Sequence, residues 1–446
     1  METTIVWILF GSFLLLLLIG APITVSLGVS ALATFLYLEE NPIKLVQIAF
    51  TSVGSFPLMA LPAFILAGAL MEAAGISRRL VGVAEALTGP ITGGLGMATV
   101  MACIFFGAIS GSGPATTAAV GMLMIPAMVN RGYDRSYASA ITASSGGLGV
   151  IIPPSIPMVI FGISGMGMRP PPEAVEKFGE FQSLSIPKLF IAGFLPAMVI
   201  ASLVIIMNYY RCKKRGYMGL TETWSASDLM KSLGHGFWSI LAPLIILGGI
   251  YTGFFTPTES AIVAIFYTVA VGIFIHKELR LKDIFHSLET TTWITGRVLL
   301  ILFTATVFGR LLVENDIPPI VAEGLLEMTS NMYVIWGLII AFLLFVGMFM
   351  ETLATIMILT PVLLPIMYNL GVDPVHFGVV MVAALAVGFQ TPPLGENLFV
   401  ASGIGGATIE EISVKALPFA VMSIVAIFII AYFPQISLWL PSLLGY

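Results

Sequence analysis

Charge is what this sequence has least of. Only 19 of its 446 residues are Lys or Arg and 24 are Asp or Glu, 10% together, where a soluble globular chain carries roughly a quarter. An ordinary soluble domain is excluded. The basic residues are scattered in short loops and the formal net charge is −5, so no basic footprint for nucleic acid exists and no nucleic-acid partner is expected. Cysteine is almost missing too. Cys103 lies in an apolar run and Cys212 in a basic one, which makes neither a disulfide framework nor a metal pattern. The four histidines, His235, His276, His286 and His376, fall in or beside loops. Residues 3–38 contain no charged side chain at all; that stretch is too long for a signal-peptide core and lacks its basic leading region. It reads as retained membrane helix, divided near Gly20-Ala21-Pro22. The ~10-residue alternation of a transmembrane β-barrel is also lacking.

What is abundant is apolar: 58% of the chain. At about 20 apolar residues per spanning helix, this content caps the spans near ~13. The fold class is therefore an all-α polytopic membrane protein. Charge-free runs include 86–130, 136–168, 189–210, 328–350, 352–372, 374–395 and 416–446. The longest polar loop, 169–188, is acidic and proline-rich, whereas Arg211 to Arg215 is the densest basic cluster. The positive-inside rule puts the basic cluster in the cytoplasm, with Lys277, Arg280 and Lys282, and the acidic loop outside. Segments 222–238 and 278–293 mix polar and aromatic residues, with Trp224, Trp238 and Trp293 in or at the ends of them. They read either as interfacial helical struts or as linkers.

An internal repeat organises the rest. Shifting the chain by 239 residues superposes 102–154 on 341–393 without a gap. The matches are Ala115 with Ala354, Thr116 with Thr355, Pro126 with Pro365, Asn130 with Asn369, Gly132 with Gly371, Asp134 with Asp373, Gly149 with Gly388, and Pro153-Pro154 with Pro392-Pro393. Shared hydrophobicity would align Leu and Val. These residues instead dictate backbone breaks. The loop Asn130 to Arg135 is basic, at Arg131 and Arg135, while its partner Asn369 to Pro374 has no Lys or Arg; Arg78 and Arg79 precede the first copy, Asp316-Ile317-Pro318-Pro319 the second. The copies therefore read as inverted, the sequence signature of a secondary transporter with its site near the midplane.

Each copy is interrupted twice. In the first, Ser110-Gly111-Ser112-Gly113-Pro114 breaks a run long enough to enter the membrane, turn and return, and Gly146 to Ser155 breaks the next span. In the second the breaks are Glu351-Thr352-Leu353-Ala354-Thr355 and Gly388 to Asn397. Glycine and proline free backbone groups there. Freed carbonyls and hydroxyls are hard oxygen ligands, helix N-termini favour an anion, and no His or Cys is offered to a transition metal, so the inferred ion is Na⁺, with H⁺ through Glu351 or Glu396 as competitor. Carboxylates inside apolar runs are functional by default: Glu351 falls opposite Ser112 in the repeat register and Glu396 opposite Pro157. Glu396 is either a working group or a structural carboxylate accepting backbone N–H bonds. Glu72 reads as an interfacial helix-end residue. Arg297 and Arg310, thirteen apart on one span, read as snorkelling to opposite faces, with a hold on a substrate carboxylate as the alternative.

Leu61 to Gly68, Ser110 to Thr116 and Gly388 to Asn397 together resemble the large membrane subunit of tripartite ATP-independent periplasmic (TRAP) transporters, over essentially the whole chain. The resemblance implies Na⁺-coupled uptake of an organic acid (C4-dicarboxylate, sialic acid or sugar acid) handed over by a periplasmic binding protein, in the bacterial inner membrane. It implies an elevator, in which a transport domain with two re-entrant hairpins slides against a scaffold, and a small four-helix membrane subunit, here expected as a separate chain. The implied division is 1–58 N-terminal scaffold, 59–168 first transport repeat, 169–293 scaffold helices and arms, 294–415 second repeat, and 416–446 C-terminal helix. Two or more Na⁺ ions would be held where each tip meets its broken helix, by Ser110, Ser112, Gly149, Pro153, Thr355, Gly388 and Thr391. Substrate would touch Ser112, Ser155, Glu351 and Asn397. Sialic-acid members carry Asp where this chain has Glu351, and loop 169–188 is long for them; both features bear against sialic acid. The rivals are a stand-alone Na⁺/carboxylate symporter, an intramembrane serine hydrolase built on Gly107-Ala108-Ile109-Ser110-Gly111, which would need a positioned base, and a non-transporting scaffold, which leaves the paired breaks unexplained.

Overall fold

The computed structural model describes the chain except for residues 1, 54–55, 167, 182, 218, 220–224, 316, 318–319, 321–323, 325–328, 330 and 393–394. Trp224, the prolines of Asp316 to Pro319, most of 314–330, and Pro393 with Leu394 thus lie outside the described residues. Every regular element among the described residues is a helix. Seven helices are long and apolar enough to cross a membrane, and two further pairs qualify as bent spans: Ala60–Ala73 with Ile76–Thr88, bent by 70°, and Arg135–Ile151 with Ile156–Gly165, bent by 42°. The protein is a multi-pass membrane protein.

The duplication is visible in where helices stop and start. In the first copy, Gly94–Ser110 and Gly113–Asn130 form a helix–turn–helix, followed by a broken helix, Arg135–Ile151 and Ile156–Gly165. In the second, Met332–Phe349 and Thr352–Asn369 are followed by Pro374–Gly388 and Glu396–Gly405. Shifted by 239, Ser110, Gly113, Asn130 and Arg135 fall on Phe349, Thr352, Asn369 and Pro374, each the matching helix end. The turn chemistry explains the coincidence. Gly132 and Gly371 are left-handed, at φ +82 and +75, and Asp134 and Asp373 cap the next helix, accepting from the backbone N–H of Ser136 at 3.2 Å and of Val375 at 2.8 Å, so one helix is ended and the next begun within four residues.

The tips differ. At the first, Gly111 is left-handed (φ +61) and Ser112 extended before Pro114 opens the return helix. At the second, Met350 and Glu351 are both extended and no glycine is used. The first pair of helices packs along itself; the second pair touches little, Met332–Phe349 leaning on Pro374–Gly388, and Thr352–Asn369 on Leu281–Glu314 and Ile156–Gly165.

The two turns also meet different segments of the chain. Asp134 of the first turn lies 3.5 Å from Arg215 and 3.7 Å from Lys415, whereas Gly371 of the second packs under Phe178 and Tyr368 meets Phe181, both from the acidic loop. The segments 222–238 and 278–293 are not linkers: from Ala226 and Leu281 onward they are helical and run on without a break into the continuous helices Ala226–Tyr251 and Leu281–Glu314. The latter has 34 residues, about 51 Å at 1.5 Å per residue, longer than the ~30 Å hydrocarbon core.

Candidate functional site

Each tip is pressed onto the broken helix of its own copy through glycine. A Cβ on Gly107 would stand 2.6 Å from the Cα of Gly149, and one on Gly388 would stand 2.7 Å from the carbonyl carbon of Gly347. Only glycine on both sides permits such an approach. It brings oxygens together at the first tip. The Thr116 hydroxyl donates to the Ser112 carbonyl at 2.6 Å and shares a hydrogen with the Ser110 hydroxyl at 2.9 Å, and a Cβ on Gly149 would lie 3.0 Å from that same Ser112 carbonyl. At the second tip the equivalent Thr355 hydroxyl donates to the Glu351 carbonyl at 3.0 Å, and Thr391 donates to the Val387 carbonyl at 2.7 Å. Four further oxygens here are buried with no hydrogen-bond partner among the described residues: Glu351 Oε2, Thr352 Oγ1, Gln390 Oε1 and Asn397 Oδ1. Buried polar atoms are rarely left so.

Between the tips lies a cavity of about 380 Å³. Five pairs of residues related by the 239 shift line it: Ser112 with Glu351, Gly113 with Thr352, Pro114 with Leu353, Val150 with Phe389, and Pro157 with Glu396. The cavity therefore sits where the two copies face each other.

Of the expected residues, Ser110, Ser112 and Glu351 line this cavity. Ser155 lies outside it. Its hydroxyl donates to the Val150 carbonyl and accepts from the Met158 N–H at 3.2 Å, capping Ile156–Gly165. Asn397 is also outside, fully buried, donating from Nδ2 to the Ala143 carbonyl at 3.1 Å, so the second break is tied to the first broken helix. Gly149, Pro153, Thr355 and Gly388 are buried behind the lining.

Three lining residues carry charge that the sequence reading placed elsewhere or left open. Glu72, at the 70° bend, is a helix-end residue and also lines the cavity. Glu396 lines it and makes no hydrogen bond among the described residues. Arg297 faces the same space, while Arg310 pairs with Glu314 at 2.8 Å. The signal for Arg297 was present, a cation inside an apolar helix.

The family described as tripartite ATP-independent periplasmic transporter, DctM component, matches residues 10–436. The chain belongs to this family. Among its relatives, the isethionate TRAP transporter permease protein DctMQ of Oleidesulfovibrio alaskensis is 42% identical over 97% of this chain, which spans 66% of that protein's length. The C4-dicarboxylate TRAP transporter large permease protein DctM of Rhodobacter capsulatus is 36% identical over 98% of this chain and 99% of its own. The sialic acid TRAP transporter large permease protein SiaM of Vibrio cholerae is 37% identical over the same shares. Among solved structures, the YdaH transporter of Alcanivorax borkumensis matches 99% of this chain and 98% of its own with a TM-score of 0.59 at 16% identity, a likeness of fold alone. This TRAP family member thus shares its helical architecture with a protein only 16% identical to it.

Proposed function

We propose that the chain is the translocating subunit of a Na⁺-coupled importer for a small organic acid in the bacterial inner membrane. The observation that carries this reading is the cavity lined by both tips at repeat-equivalent positions. One basic side chain, Arg297, meets an anionic headgroup there, and the named relatives handle carboxylate or sulfonate anions. Na⁺ is a co-transported substrate in this scheme. The first-tip oxygens of Ser110, Ser112 and Thr116, and the unpartnered oxygens of Glu351, Thr352, Gln390 and Asn397, are the hard donors that replace its water shell. The Ser110 hydroxyl is engaged by Thr116, an arrangement that suits ion ligation better than nucleophilic attack.

Transport follows an elevator path, the re-entrant tips and broken helices carrying the cavity past a scaffold. The long helix Leu281–Glu314, packed on Ile23–Tyr37, Pro42–Val53 and Ala60–Ala73 and also on Thr352–Asn369, joins the scaffold to the second repeat. Its outer face is apolar and exposed at Leu281, Phe285, Trp293 and Leu300. That face and Ala226–Tyr251 receive the bilayer and a small helical subunit in a separate chain, while a periplasmic binding protein docks near loop 169–188.

The deciding experiment is reconstitution with the cognate binding protein and small subunit, followed by uptake of a labelled organic acid. Uptake should require a Na⁺ gradient and vanish when choline replaces Na⁺; full uptake on a proton gradient alone refutes the coupling. Uptake at full rate by the purified chain without partners would favour the stand-alone symporter. A cysteine at 228 should crosslink the small subunit, and cysteines at 112 or 355 should not.

A further inference from the structure

A second cavity, of about 470 Å³, opens at the basic end of the molecule, lined by Met207, Tyr210, Arg211, Lys214, Arg215 and Pro418. It lies between the helices Ile186–Arg215 and Ile409–Tyr432, which pack on each other. Three of its six lining residues are cations. A cationic helix end is ordinary on the cytoplasmic side, so charge alone says little; the neutralisation pattern says more. Asp134 lies near Arg215 and Lys415, at 3.5 and 3.7 Å, and the Arg215 guanidinium is seated over the Tyr137 ring at 5.4 Å. Arg211 and Lys214 have no carboxylate within 4 Å among the described residues. The acidic Glu410 and Glu411 at the start of the neighbouring helix form no ion pair with them.

Exposed apolar side chains lie beside the cavity. One turn before Tyr210 on its helix is Ile206, and along the facing helix run Leu417 and Val421; all four are strongly exposed, Tyr210 at 67% and Ile206 at 57%. The helices run in opposite directions, since the C-terminal end of one and the first turns of the other both reach Asp134. Ile206 and Val421 are therefore displaced from the cations toward the membrane interior. A pocket whose Arg211 and Lys214 have no carboxylate within 4 Å among the described residues, continued by exposed apolar side chains, suits one kind of molecule.

We propose that this cavity binds an anionic phospholipid, its phosphodiester held by Arg211 and Lys214 with Arg215 behind, its acyl chains lying along Ile206, Leu417 and Val421. Basic pockets between transmembrane helices on the cytoplasmic side recognise such headgroups. Inorganic phosphate shares the headgroup chemistry but has no use for the groove.

The test uses the purified full chain in detergent, titrated with phosphatidylglycerol, with phosphatidylcholine and with inorganic phosphate, and read by native mass spectrometry. Phosphatidylglycerol should be retained in preference to phosphatidylcholine. The double variant Arg211→Gln/Lys214→Gln should weaken its binding roughly tenfold or more, and Lys277→Gln/Lys282→Gln, in the other basic loop, should leave it unchanged. Leu417→Gln, which alters only the groove, should weaken the lipid and not inorganic phosphate. Equal retention of the two lipids, equal loss in both double variants, or phosphate binding as tightly as the lipid would each overturn the proposal. A melting curve confirms that each variant is folded, and if the double variant is not, Lys214→Gln and Leu417→Gln alone decide.

Discussion

Adding one methyl group at the tip contacts should disable the carrier without unfolding it. A Cβ on Gly388 would stand 2.7 Å from the carbonyl carbon and 2.8 Å from the Cα of Gly347. Carbon atoms settle at about 3.5 Å or more, so the second tip must retreat by roughly 0.8 Å. Neither neighbour is the end of a flexible side chain; both are backbone. Overpacking of this sort costs about 1–3 kcal/mol, offset by up to ~1 kcal/mol because Ala is the better helix former. Net destabilisation is thus small, about 0–2 kcal/mol, while a displacement near 1 Å between positioned groups can cost ~100-fold in rate. Gly107→Ala, facing the Gly149 Cα at 2.6 Å, should behave alike at the first tip. Gly337→Ala is the internal control, since it makes the same exchange in the helix Met332–Phe349 where nothing lies within 4 Å of the new atom. Thermal melting by scanning fluorimetry and Na⁺-driven uptake in proteoliposomes are measured on the same preparations. If Gly388→Ala and Gly107→Ala transport as well as Gly337→Ala, the tips are not pressed on the broken helices as described.

Thr116→Val should raise the Na⁺ concentration for half-maximal uptake roughly tenfold by deleting one hydroxyl ligand, and Ser110→Ala should act in the same direction; unchanged Na⁺ dependence would exclude the first-tip site. Glu351→Gln should leave the melting temperature near wild type while lowering uptake on the order of tenfold, and normal transport or simple misfolding would contradict its role. Arg297→Gln should weaken substrate uptake roughly 10- to 100-fold, with Arg297→Lys partly restoring it, whereas an effect on melting alone would make it structural. Burial alone would raise the Asp134 carboxyl, but the Ser136 hydroxyl and N–H, with Lys415 and Arg215, win and hold it below the usual carboxylate range. A depressed folded-state value stabilises above the unfolded value and is lost as pH falls through the folded one, so Asp134→Asn should lower the melting temperature at pH ~7 and make a shrinking difference as the pH is taken down through the folded-state value.

The repeat was legible because its matches were residues that force backbone geometry. Gly132 and Gly371, Asp134 and Asp373 end and start helices whatever surrounds them, so helix ends coincide at the offset read from the sequence. Side-chain direction was not legible in the same way. Arg297 lies more than fifty residues from Glu351, and whether it meets lipid or cavity depends on the rotation of a helix set by its packing on Ile23–Tyr37 and Ala60–Ala73. Ser155 and Asn397 fell in the right breaks, yet both side chains turn to backbone, Ser155 to cap a helix and Asn397 to reach Ala143. That 222–238 and 278–293 run on into longer helices was not legible, because polar helix surface looks the same whether a helix ends there or continues.

The long helix has an electrical consequence. Arg297 is the seventeenth of its 34 residues, with about 25 Å of helix on either side, and a helix centred on the bilayer would place the cavity it lines near half depth. A charge arriving there from one aqueous phase has crossed about half of the membrane voltage, worth ~1 kcal/mol per elementary charge at 100 mV. Both the entry of the cargo from outside and its release inside would then be voltage-dependent. A carrier with a surplus of sodium charge over its acid would be driven by the potential at each of those two steps, and current recordings at imposed voltages would show the dependence divided between them.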